Sequence, residues 1–389
     1  MNRLLKTIEE DVFETRRCLH QIPEPGLEEY KTSKWLQDKL SSLGVPYEIV
    51  DNTGIIALIK GKNPRKTIAF RADIDALSVS EESDFEAHST HDGFMHACGH
   101  DGHMSMLIGL ANLLTRDTVE VKDDIVMIFQ PAEEGPGGAE NIVKSGILKK
   151  YGVDEIYGVH IFPGIEQGKI ALCPGPMMAM TGEFDIDIVS KSAHGAMPHT
   201  GIDGLVIASE CLLGLQTIAS RNVEPTDPVV LTIGKVVGGE RRNIIAGNVR
   251  MEGTLRTFSQ EVYNKMVGRM KTYLSGIASA YEIEIKLEVR DMYPPVVNDV
   301  NLFDEFWKIC GDKCELIKPQ MISEDFSYYQ EAVPGLFYFI GSYNETKGHV
   351  YPLHSSRFNF DNKVLMDGIE SYIGLLSAKG SILLSESIK

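Results

Sequence analysis

Asp124-Ile125-Val126-Met127-Ile128-Phe129-Gln130-Pro131-Ala132-Glu133-Glu134-Gly135 is the stretch on which the fold turns. Residues 125–129 are apolar without a break, the pattern of a strand covered on both faces. The run stops at Gln-Pro-Ala and two adjacent carboxylates. The same order recurs on either side. Residues 67–72 read as a strand ending in Asp73-Ile74-Asp75, and 155–162 read as an apolar strand that carries His160. Helix-like segments at 103–115 and 139–149 lie between them. Polar residues that repeatedly follow the carboxyl ends of buried strands predict an open α/β sheet with its site along that edge.

Working outward, residues 3–20 and 29–43 have the apolar spacing of helices, separated by a Pro23-Glu24-Pro25-Gly26 loop. The texture changes near Pro174-Gly175-Pro176. Residues 183–190 alternate apolar and polar; a helix fits 203–220, strands fit 229–237 and 247–257, a helix fits 259–279 and a strand fits 281–290. Two β-α-β units in series predict a small α+β, ferredoxin-like sandwich with one open sheet face. Past Met292-Tyr293-Pro294-Pro295, a helix at 301–311, a strand at 336–340 and a helix at 362–378 resume the first pattern. The expected architecture is a mixed-sheet α/β/α domain, residues 1–176 and 292–389, interrupted by a small domain at 177–291.

The bulk properties narrow the function. The chain has 389 residues, 43% hydrophobic and 24% charged, which suits about two globular domains and argues against disorder. A formal net charge of −17 repels nucleic acid and anionic membranes, so neither is expected as a partner. There is no apolar signal core at the start and no run of the ~18 apolar residues that a membrane span needs, so a cytoplasmic location is expected. The six cysteines (Cys18, Cys98, Cys173, Cys211, Cys310, Cys314) are scattered, and all but Cys98 read as structural thiols.

Cys98 sits in His96-Ala97-Cys98-Gly99-His100-Asp101-Gly102-His103. Cys98 and His100, two apart in a glycine-containing loop, can point into one site, and thiolate plus imidazole suit Zn²⁺ or a related metal. His96 and His103 stand as direct or supporting members. The carboxylates of Glu133 and Glu134 repel each other unless a cation relieves them. Leaving a strand in different directions, one can bind metal while the other moves protons to and from water, as amide hydrolysis requires. His160 and His354 are weak alone and gain weight as missing ligands of that site. In the inserted domain, Ser192-Ala193-His194-Gly195-Ala196 offers His194 as a donor to a developing oxyanion. Arg256 suits a substrate carboxylate, and Asn243 lies on the same domain.

These motifs resemble the carboxypeptidase G2-like and aminoacylase-like metalloamidohydrolases. The closest branch holds N-acetyldiaminopimelate deacetylase, hippurate hydrolase and plant auxin-conjugate amidohydrolases. The resemblance rests on Arg71-Ala72-Asp73-Ile74-Asp75-Ala76-Leu77, residues 96–103, Gln130-Pro131-Ala132-Glu133-Glu134-Gly135, residues 192–199, Asn243-Ile244-Ile245-Ala246, Glu252-Gly253-Thr254-Leu255-Arg256-Thr257 and Ser323-Glu324-Asp325-Phe326, in family order over nearly the whole chain. It implies two divalent metal ions (Zn, Mn, Co or Ni) on Cys98, His100, Glu134, His160 and His354, with Cys98 bridging. It implies Glu133 as general base and acid, His194 as the oxyanion donor, in relatives often from a partner subunit, and Asn243 and Arg256 as substrate contacts. Arg71 stands where distant relatives carry a histidine ligand, and arginine cannot deprotonate to bind metal. The inserted domain is implied to be a hinged lid and the surface of a homodimer.

The substrate implied is a small N-acyl-L-amino acid, with N-acetyl-L,L-diaminopimelate of lysine biosynthesis leading. Broader N-acyl-amino-acid or hippurate hydrolysis is the alternative. A catalytically silent binding protein on the same scaffold and a thiol enzyme using Cys98 are readings of other classes. Glu133, superfluous to mere binding, counts against the first of these.

Overall fold

Four parallel strands form the centre of the larger sheet: Asp124–Gln130, Thr67–Asp73, Val153–Glu166 and Gly335–Tyr343, side by side in that order. The computed structural model describes residues 2–385. Gly54–Ile59 and then Tyr47–Val50 extend one flank in antiparallel sense. Ile170–Leu172 and Cys314–Leu316 extend the other, giving a mixed sheet of eight strands.

The central strands are buried on both faces, as their unbroken apolar runs require. Phe70, Met127, Tyr157 and Tyr338 pack in one core with Val12 and Leu19 of helix Glu9–His20, Leu36 and Leu40 of Tyr30–Ser42, Leu107 and Leu110 of His100–Leu114, and Leu365 and Ile369 of Lys363–Ala378. Their strand neighbours Ala69, Val126, Ile156 and Phe337 are equally buried but point to the opposite face. Layers on both faces leave the strand ends as the place where polar groups gather.

Three helices differ from their sequence reading. The expected helix at 3–20 is two, Asn2–Leu5 and Glu9–His20, with the Thr7 hydroxyl bonded back to the Leu4 carbonyl at the break. The expected helix at 139–149 is Ala139–Lys144 and Ile147–Tyr151, parted by Gly146 at φ +78°. The helix read from 103 begins at His100, because Gly99 takes φ +87° and turns the chain into it.

The chain divides into two compact units. The larger holds the described residues up to 175, with 297–318 and those from 325 onward; the smaller holds 176–296 and 319–324. The return of 319–324 was not apparent in the sequence. It follows from hydrogen bonds of Gln320 N–H to the Met177 carbonyl (2.8 Å) and of Ala179 N–H to the Ile322 carbonyl (2.9 Å).

The smaller unit is an antiparallel sheet ordered Val229–Gly238, Asn248–Thr257, Met180–Val189, Glu284–Asp291. Helices Gly204–Asn222 and Gln260–Tyr281 cover the face formed by Phe184, Ile186, Ile188, Met251 and Leu255. The other face carries ion pairs among Arg250, Arg290, Asp185, Glu252 and Lys235. Among the described residues, no helix is long and apolar enough to cross a membrane.

Candidate metal centre and active site

The ligand-bearing loops meet at the carboxyl end of the central strands. Cys98 lies just before Gly99, and His100 is the first residue of the helix that Gly99 starts. His160 stands within strand Val153–Glu166. His354 is carried on a loop with φ +65°, and its N–H donates to the Ala97 carbonyl at 2.9 Å, which docks that loop onto the Cys98 segment. The Glu134 N–H donates to Asp75 Oδ2 at 2.9 Å, so the carboxylate after strand Thr67–Asp73 holds the one after strand Asp124–Gln130.

Two sets of side chains share Cys98: Cys98 with His100 and His160, and Cys98 with Glu134 and His354. Within each set the ligand atoms lie within 4.8 Å of one another. Cys98 Sγ is 3.4 Å from His160 Nε2, and Glu134 Oε1 is 3.2 Å from His354 Nε2. Glu133 also gathers with His100 and Glu134.

Hydrogen bonding selects which histidine nitrogens are open. His100 Nδ1 lies 2.9 Å from the Asp75 carbonyl oxygen, which can only accept, so Nδ1 keeps its hydrogen and Nε2 is the nitrogen that would give up its proton to a metal. His160 Nδ1 donates likewise to the Ile161 carbonyl at 2.8 Å, leaving Nε2 toward Cys98. His103 accepts the Ile161 N–H at Nε2 (2.9 Å) and gives Nδ1–H to Asp73 Oδ1 (2.6 Å). With both nitrogens engaged, His103 acts as support. His96 is buried, with neither ring nitrogen hydrogen-bonded.

The electrostatics fit a cation. Burial, then the charges of Glu134 and Glu133, push the Cys98 thiol well up, so it is a thiol until a cation arrives. Burial would lower His100, but the charge of Asp73 and the hydrogen bond and charge of Asp75 override it and raise it to about 10. Buried His100 Nε2 makes no hydrogen bond, and Glu134 Oε1 has only the His354 imidazole beside it, at 3.2 Å, though each belongs to a ligand set. Polar atoms are rarely left so in a folded interior. Lone pairs of thiolate, imidazole and carboxylate converging on one volume are what a first-row divalent ion requires.

In the smaller unit, His194 and Asn243 are neighbours. His194 bridges to Ile244, and the Gly195 N–H donates to the Asn243 carbonyl at 2.8 Å. The Ala196 N–H donates to His194 Nδ1 (3.1 Å), so neutral His194 has its hydrogen on Nε2, free to donate. Arg256 is not with them. It is bonded to the Thr181 hydroxyl and, at 3.2 Å, to Ser323 Oγ. Asn248 and Arg256 are eight residues apart on one strand, about 26 Å at ~3.3 Å per residue, and His194 lies beyond the Asn248 end.

Several supporting residues had no role in the sequence reading. Asp73 receives His103 and, at 2.7 Å, Arg71; Arg71 also bonds Gln130 and Asp325, each at 2.7 Å. Asp75 orients both His100 and Glu134. The available signal was their spacing: two carboxylates two residues apart as a buried strand ends.

A family model described as peptidase family M20/M25/M40 matches residues 69–378. The chain is 38% identical over 357 residues to an N-acetyldiaminopimelate deacetylase of Priestia megaterium, covering 90% of this chain and 93% of that one. A methicillin-resistant Staphylococcus aureus protein described as a candidate aminohydrolase superposes with TM-score 0.90 at 33% identity, over 97% of this chain and 99% of that one. A Bacillus subtilis protein described as a dinuclear metal-binding peptidase of the M20 family gives TM-score 0.82 at 31% identity, over 96% and 99%. The chain therefore belongs to peptidase family M20/M25/M40, as an amidohydrolase that uses divalent metal ions.

Proposed function

We propose that this enzyme deacetylates N-acetyl-L,L-diaminopimelate, giving acetate and diaminopimelate, at a two-cation centre held by Cys98, His100, Glu134, His160 and His354. The observation that carries amide hydrolysis is Glu133, a buried carboxylate gathered with His100 and Glu134 but outside the two sets that share Cys98. The substrate is supported by the name of the Priestia relative. Bound cations, for which the donors suit Zn²⁺, Mn²⁺, Co²⁺ or Ni²⁺, would polarise the amide carbonyl and acidify the attacking water. Glu133 takes the proton as the water oxygen adds to the carbonyl. It then delivers that proton to the amide nitrogen as the C–N bond breaks, so the acid and the amine leave. His194 donates Nε2–H to the developing oxyanion, Arg256 receives a substrate carboxylate, and Asn243 makes a further substrate contact.

The separation of His194 from Arg256 supports a homodimer. An N-acyl-amino acid is far shorter than the sheet edge between them. Both serve one reaction only if two copies of the chain act together, one contributing Arg256 and the other His194. The free cysteines suit a reducing, cytoplasmic compartment.

The test is a deacylation panel on the metal-loaded enzyme, comparing N-acetyl-L,L-diaminopimelate with hippurate and simple N-acetyl-amino acids. Preference for the first by kcat/KM is expected. Equal use of all would replace this reading with a general N-acyl-amino-acid hydrolase, and hydrolysis of none would return the silent binding protein.

A further inference from the structure

The loop that presents Glu133 rests on a part of the chain far from every proposed ligand. Ala132, immediately before Glu133, has φ +56°, a left-handed conformation disfavoured for a residue with a Cβ. Such a conformation persists where its surroundings hold it. Two hydrogen bonds do so. The Ala132 carbonyl accepts the Gly137 N–H at 3.0 Å, and the Ala132 N–H donates to Glu29 Oε1 at 2.9 Å. Glu29 is fully buried, and its Oε2 accepts the Thr53 hydroxyl at 2.6 Å. The adjoining Gly26 lies so close that a Cβ there would meet the Gly135 carbonyl oxygen at 2.5 Å and Ala132 Cα at 2.9 Å. The Pro23-Glu24-Pro25-Gly26 loop and Glu29 thus form the bed of the Glu133 loop.

Glu133 stands between two pins. On one side Glu29 holds Ala132; on the other, Asp75 Oδ2 holds the Glu134 N–H at 2.9 Å. We infer that Glu29 is a positioning residue for Glu133: it fixes the Ala132 backbone and thereby the direction of the proton-carrying carboxylate, while Asp75 separately fixes Glu134. This rests on the reading of Glu133 as general base. Losing Glu29 frees the base and leaves the proposed ligand in place, so turnover falls with metal retained.

The experiment uses the full-length, metal-loaded enzyme with the best substrate of the panel. Glu29→Asp withdraws the carboxylate by one methylene, Glu29→Ala removes it, and Glu29→Gln keeps an oxygen for the Ala132 N–H. The Asp and Ala variants are expected to lose about 10–100-fold in kcat, the scale of a small misplacement of a reacting group. KM should stay within roughly threefold. Metal content by elemental analysis should not change, the acid limb of the kcat–pH profile should shift, and Glu29→Gln should stay near wild type. Should Glu29→Ala not fold, the Asp and Gln pair decides. Wild-type kcat in Glu29→Asp, or a loss that merely follows metal content or folded fraction without moving the acid limb, overturns the inference. Glu133→Gln run alongside separates the two claims. If it stays active, the role of Glu133 falls; if it is inactive while the Glu29 variants are normal, the positioning role alone falls.

Discussion

His100 and Asp101 are adjacent at the start of one helix, yet they enter two buried polar clusters of opposite character. Behind the helix, Asp101 Oδ2 accepts from Arg16 Nε (3.1 Å) and His20 Nδ1 (2.9 Å), and His20 Nε2 faces Glu81 Oε1 at 3.0 Å. Arg16 also donates to the Phe360 carbonyl, Asn359 and Asn362, with its guanidinium over the rings of Phe85 and Phe360. Two positive groups meet two negative ones. In front, the carboxylates of Asp73, Asp75, Glu133 and Glu134, with the Cys98 thiol beside them, outnumber the cationic groups Arg71 and His100, and His100 Nε2 and Glu134 Oε1 belong to the ligand sets. The residue types are the same; the sums differ. A buried cluster that the protein neutralises itself holds the fold together, whereas one left negative is completed by something from outside. The border is not perfectly tidy. Asp101 Oδ1 and both His96 nitrogens lack partners, and burial pushes His96 down to about 3, so it is neutral.

The largest effect falls in front. Glu133→Gln is expected to lower kcat by about 10³-fold, within the range of general acid–base catalysis, with metal content unchanged by elemental analysis. Next come two variants that reverse the comparison. Arg16→Met strips one of the two cationic partners from buried Asp101 and should cost about 3 kcal/mol of stability with or without metal. Glu134→Gln removes one of several crowded negative groups. The metal-free protein should hold its stability or gain up to about 1 kcal/mol, while the rise in Tm on adding Mn²⁺ or Zn²⁺ disappears. If melting curves show Glu134→Gln to be the more damaging in the metal-free state, the front cluster is structural and the contrast fails.

Much of the front was legible in the sequence and almost none of the back. Cys98 and His100 are two apart in a dense His/Cys cluster, and Glu133 and Glu134 are adjacent after an apolar run, so local spacing advertises them. The central strands themselves were legible because fully buried strands have a distinct pattern, whereas their order in the sheet was not read. The choice among histidines was not legible, since it depends on where Nδ1 of His100, His103 and His160 finds an acceptor: Asp75, Asp73 and the Ile161 carbonyl. Arg16 and His20 looked like ordinary charged positions on an amphipathic helix. Their partners Asp101, Asn359 and Phe360 are 85 or more residues away from Arg16, and no local pattern encodes that meeting. Glu29 was hidden in the same way, in a stretch that read as the start of a helix.

A change confined to a narrow pH window tests whether the back cluster is held by charge at all. Glu81 is opposed by burial but held down by the hydrogen bond and charge of His20, the Ser83 hydroxyl and the Ser89 N–H, to about 2 from an ordinary 4.5. A depressed carboxylate contributes stability that is present above its unfolded value and lost as pH falls toward its folded one. His20 has the opposite sign. Burial lowers it, Asp101 and Glu81 more than restore it, and its raised value contributes stability that is full below 6.5 and fades at higher pH. The cluster therefore stabilises most between about pH 4.5 and 6.5. Glu81→Gln should cost the metal-free protein about 2 kcal/mol at pH 6, discounted for the partial solvent screening of Glu81. Urea denaturation at successively lower pH should show the gap between wild type and variant closing as Glu81 is protonated. A gap that stays constant with pH would mean that shape and hydrogen bonding, rather than charge balance, hold the back of the helix, and the distinction between a neutralised and an unneutralised cluster would lose its physical basis there.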